Sequence, residues 1–78
     1  FQRAEALASE GRLRDAIAAV DLALAKQPGN VGYLVFKGYR QLDVGDNAGA
    51  QQSFGRAISI DPSHTEARLG SASALARL

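Results

Sequence analysis

Seventy-eight residues with no cysteine and a net charge of +1 make one small domain or part of a larger one, and exclude bracing by disulfides or a thiolate metal site. A chain of this length buries only about 60% of its unfolded surface and is marginal without further support. Acids and bases are interspersed, which argues against the dense basic face of a nucleic-acid binder, and no apolar run approaches the ~18 residues of a membrane-inserted span.

The apolar share, 46%, is that of an ordinary folded domain. No secretory-signal pattern is visible. The lack of cysteine fits a bacterial cytoplasm and a cysteine-free periplasmic protein equally. Abundant alanine and arginine with scarce lysine point to a GC-rich bacterial gene. The sequence starts at Phe1 and has no methionine, so a fragment or processed product is expected, with the natural chain continuing in both directions.

In chain order, Ala4, Leu7 and Ala8 fall at helical intervals before Gly11, so the sequence opens inside a helix. A second helix is predicted over residues 12–26, with Leu13, Ala16, Ile17, Val20, Ala23 and Leu24 on one stripe. Pro28 and Gly29 stop it, and Asn30 caps the next helix. Leu34, Gly38 and Leu42 then recur at intervals of four, with Val35 and Tyr39 beside them. Gly45 ends that helix in a left-handed conformation, and Asp46 or Asn47 caps its successor. Ala50, Phe54, Ala57 and Ile58 form the fourth stripe, which Asp61-Pro62 closes. Ser63 with Glu66 matches a capping box, and Leu69, Ala72, Leu75 and Ala76 give a fifth helix its apolar face.

A shift of 34 residues superposes these elements. Ala4 meets Gly38 and Ala72; Gly11 meets Gly45; Ala16 meets Ala50; Val20 meets Phe54; Ala23 meets Ala57; Pro28 meets Pro62. A fixed period of this length signals stacked supersecondary units. The units run over about 1–29, 30–63 and 64–78, the last one partial.

On these residues, above all Leu34, Gly38, Gly45-Asp46, Ala50, Phe54, Ala57 and Asp61-Pro62, the chain resembles the tetratricopeptide repeat (TPR) family along essentially its whole length. Lys37 and Gln41 depart from the leucine and tyrosine that the family prefers, and Asn47 and Gln51 replace the apolar Leu13 and Ile17 of the first unit. The resemblance implies an all-α fold of about five helices, stacked as a short right-handed solenoid. It also implies a protein-interaction scaffold that holds a peptide or partner helix in a groove lined by the first helix of each unit. The groove positions it implies are Glu5, Ser9, Val35, Phe36, Tyr39, Asp43, Ser73 and Arg77, with Tyr39 as the leading anchor. The competing reading packs Tyr39, Phe36 and Tyr33 between helices and leaves Glu5, Asp43 and Arg77 as solvated charges. The clamp positions that grip chaperone carboxyl tails in some relatives would carry Phe1, Glu5, Val35 and Tyr39, which cannot hold a carboxylate.

No cofactor, metal or catalytic group is expected. His64 is the only histidine, and with Asp61 and Ser63 it lies in a turn rather than in a pocket with an oxyanion hole. Asp43, Asp46 and Asn47 lack the ligand spacing of a calcium loop. The expected partners are a protein or peptide, with no nucleic acid and no membrane insertion. A homo-oligomer through exposed terminal helices is a further possibility. Two alternative roles stay open: a substrate-recruiting segment of a larger enzyme, such as a glycosyltransferase or sulfotransferase, and a self-assembling structural protein.

Overall fold

Gly11 and Gly45 take φ of 79° and 84°, a conformation in which a Cβ would meet its own backbone. At each, the chain reverses through the same two hydrogen bonds. Gly11 N–H donates to Ala8 O at 3.0 Å and Arg12 N–H to Leu7 O at 2.9 Å; Gly45 N–H donates to Leu42 O at 3.0 Å and Asp46 N–H to Gln41 O at 2.9 Å. This is the Schellman ending, which satisfies two carbonyls that a helix terminus leaves bare.

The computed structural model describes all residues from Phe1 to Leu78. It contains five helices and no strand: α1 (Gln2–Ser9), α2 (Leu13–Lys26), α3 (Val31–Asp43), α4 (Asn47–Ile60) and α5 (Thr65–Arg77). Each packs against the next, and α3 also touches α5. No helix is long and apolar enough to cross a membrane.

The 34-residue period is written into the backbone. Moving α2 by 34 gives the limits of α4, and moving α3 gives those of α5. The residues that end α2 and α4, Gln27 and Asp61, have φ of −133° and −134°, and each is followed by proline, which cannot extend the helix. Those that begin α3 and α5, Asn30 and His64, have φ/ψ of −75°/105° and −70°/108°.

Three of the five helices have side-chain caps. Asn30 Oδ1 accepts from Tyr33 N–H at 3.0 Å, as expected, and Asp46 Oδ1 accepts from Gly49 N–H at 3.0 Å. For α5 the expected Ser63–Glu66 capping box does not form. His64 occupies the cap and its Nδ1 accepts from Ala67 N–H at 3.2 Å, so the ring carries its proton on Nε2. Ser63 turns instead to Asp61 Oδ1, donating from Oγ at 3.0 Å and so holding the turn one residue earlier. His64→Ala is therefore expected to destabilise the protein by about 0.5–2 kcal/mol, the usual worth of a cap. Urea unfolding checks this; a midpoint equal to wild type would mean the cap carries nothing.

The main core joins the second unit to the helix of the third. Leu34, Val35, Leu42, Ala50, Phe54, Ala57, Ala67 and Ala74 form one buried cluster, with Phe54 fully enclosed. A Cβ built on Gly38 would lie 2.7 Å from the Phe54 ring, and one on Gly70 would lie 2.3 Å from it. The ring thus fills the space of two missing methyl groups, which draws α3, α4 and α5 together. Ala4, Leu7, Ala16 and Val20 make the smaller buried set of the first unit.

The polar departures from an apolar pattern are partly absorbed by contacts. Lys37 Nζ pairs with Asp21 at 2.7 Å. Gln41 is buried and accepts from Ser53 Oγ at 2.6 Å. Gln51 accepts from Ser71 Oγ at 2.9 Å. Asn47 Oδ1 alone is buried with no partner.

The expected apolar face of α5 is reversed. Its buried side is Ala67, Gly70, Ser71 and Ala74, and Leu69 and Leu75 stand about 60% and 57% exposed. Their counterparts one period earlier, Val35 and Gln41, are buried. The physical reason is the Phe54 ring: only small side chains fit against it, so the smallest face of α5 turns inward.

Candidate functional site

Successive turns of α3 present Phe36, Tyr39 and Arg40 on one side of the molecule, beside the start of α5 and the first residue of the chain. Phe1 stacks on Tyr33 with centroids 4.7 Å apart and meets Phe36 edge-on at 5.1 Å. The Arg40 guanidinium lies 5.1 Å above the Phe36 ring and donates from Nε to Asp43 Oδ2 at 2.9 Å. Tyr39 sets its ring edge-on to Phe54 at 5.0 Å and donates from its hydroxyl to Glu66 O at 3.1 Å. That bond ties the middle of α3 to the first turn of α5.

These contacts bound a shallow cavity of about 390 Å³ between α3 and α5, lined by Gly32, Val35, Phe36, Tyr39, Arg40, His64 and Glu66. Its floor is apolar and aromatic. Its rim carries one cation, one carboxylate and the imidazole Nε2–H. The cavity thus combines an apolar floor with polar groups at its rim.

Three of the eight groove positions expected from sequence line this cavity, and they differ in burial. Val35 belongs to the core, so it supplies floor rather than a free contact. Phe36 and Tyr39 are half-buried walls. Asp43 is exposed and engaged with Arg40. Arg77 is exposed and reaches back from Nη1 to Leu42 O at 3.4 Å, near the end of α3. Glu5, Ser9 and Ser73 are exposed and stand outside the cavity.

Gly32, Arg40, His64 and Glu66 join the cavity without having been expected there. Arg40 was signalled by its place four residues after Phe36, where helical side chains meet. His64 and Glu66 come from a different helix, and only the α3–α5 packing brings them in.

No family model, curated protein or solved structure compared with this chain matches it.

Proposed function

We propose that this chain is a tetratricopeptide-type helical repeat segment and serves as a non-catalytic scaffold. It binds a peptide or partner helix on the face made by α1, α3 and α5. The observation that carries this reading is the cavity whose aromatic walls, Phe36 and Tyr39, are half open and fixed from behind by Phe1, Arg40 and Phe54. Aromatic side chains held rigid in this way lose little entropy when a partner covers them, which is the usual character of an interface anchor. The 34-residue repetition of helix limits and caps supports the repeat assignment.

A displayed library of random dodecapeptides, selected on the immobilised protein, tests the reading. Selected peptides are expected to carry an apolar anchor. Phe36→Ala should weaken them by more than about 1 kcal/mol with the far-ultraviolet spectrum unchanged. Tyr39→Ala removes a wall and the bond to Glu66 together, so Tyr39→Phe separates the two: it keeps the ring and should keep binding. Peptides insensitive to Phe36→Ala, or no enrichment over an unrelated helical protein, would end the proposal.

A further inference from the structure

We infer that the protein segment seated between α3 and α5 carries a lysine or arginine beside its apolar anchor, so that the cavity selects basic over acidic segments; this rests on the binding face proposed above. Two ionised side chains line the cavity, Arg40 and Glu66. Arg40 is already answered. Its Nε donates to Asp43 Oδ2 at 2.9 Å, and its guanidinium covers the Phe36 ring at 5.1 Å. His64, also in the lining, is neutral while it caps α5, because its Nδ1 accepts from Ala67 N–H. Glu66 is exposed and has no cation within ion-pair distance. The one uncompensated charge of the cavity is therefore a carboxylate.

The fold fixes the place of that carboxylate. Tyr39 donates to the Glu66 carbonyl at 3.1 Å, which ties the first turn of α5 to the aromatic wall on α3. An acid in a first turn also suits the helix dipole, and that interaction leaves its oxygens open to a partner. A helix stacked on α5 as α4 stacks on α3 would not cover the position. One period earlier the counterpart is Gly32, which lines the same cavity, and a Cβ there would meet nothing of α4 within 4 Å. The site thus belongs to the α3–α5 junction. The chain as a whole is +1, so its long-range field favours acidic peptides slightly. A preference for basic ones has to come from the local carboxylate. Nucleic acid, whose phosphates would meet Glu66, is disfavoured by the same charge.

The test selects displayed random dodecapeptides on the whole chain and counts charged residues within four positions of the apolar anchor. Lysine and arginine are expected to exceed aspartate and glutamate. A synthetic copy of a selected peptide with its basic residue changed to glutamine should bind up to about fivefold more weakly, the usual worth of an exposed ion pair. In Glu66→Gln protein the two peptides should bind alike, while Phe36→Ala still weakens both; raised salt should narrow the wild-type difference. Binding that depends on Phe36 but shows no basic preference, an acidic preference, or a basic preference that survives Glu66→Gln would each overturn the inference and leave the binding face standing. No Phe36-dependent binding at all would end both. A dimer in light scattering that Phe36→Ala dissociates would assign the cavity to a second copy of the chain and overturn the inference as well.

Discussion

Phe54→Ala is expected to cost about 3–5 kcal/mol, the largest loss of any single truncation in this chain. Phe54 is one of two large side chains with no exposed surface, the other being Val20, and it is the one that three helices share. Truncation removes the ring from between Gly38 and Gly70, neither of which has a side chain to refill the space. Tyr39, packed edge-on to that ring, also loses its support. At roughly 0.05–0.15 kcal/mol per residue, a domain of this length holds only about 4–12 kcal/mol in all. The variant should therefore be partly unfolded at room temperature, with a much lower midpoint in urea and a broadened thermal transition. Phe54→Leu, which keeps most of the volume, should lose less. A wild-type midpoint for the alanine variant would show that the core does not converge on this ring.

Much of this arrangement was legible in the sequence because its signals are local. Glycine at 45, asparagine at 30 and proline at 28 and 62 act within a few residues of themselves, and the helix limits followed them closely. The period also paired Val20 with Phe54 and Ala23 with Ala57; three of these four are fully buried and Ala23 is half-buried. The face of α5 was not legible. Leu69, Ala72, Leu75 and Ala76 make a good apolar stripe by spacing, whereas Ala67, Gly70, Ser71 and Ala74 scarcely register on a hydrophobicity scale. What turns the small side inward is the Phe54 ring on another helix, and periodicity within α5 contains no trace of it. The capping box failed for a related reason. Ser63 and Glu66 have the right spacing, but the turn after Pro62 places His64 at the start of the helix. For the candidate site, Phe36 and Tyr39 could be found from their position on α3. The bond from Tyr39 to the Glu66 carbonyl spans two helices and could not.

Gly70→Ala and Gly55→Ala should move stability in opposite directions, although each replaces a glycine by alanine inside a helix. In an open helical position the change gains up to about 1 kcal/mol, because the unfolded chain loses freedom and helix propensity rises. Gly55 is such a position: a Cβ there meets nothing within 4 Å. At Gly70 the new Cβ would lie 2.3–2.8 Å from three carbons of the Phe54 ring. The ring has little room to give, since two of the same carbons, Cε1 and Cζ, already lie 2.7 Å from the place where Gly38 lacks a Cβ. Overpacking of this kind costs about 1–3 kcal/mol and outweighs the propensity gain, so a net loss is expected. Adding Phe54→Leu to Gly70→Ala frees the ring's outer edge. The pair should be more stable than the sum of the two single changes predicts, with a coupling of about 0.5–3 kcal/mol. Urea midpoints of the four proteins give that coupling directly. Simple additivity, or stabilisation by Gly70→Ala alone, would mean that α5 does not rest on Phe54, and the inward turn of its small face would need another cause.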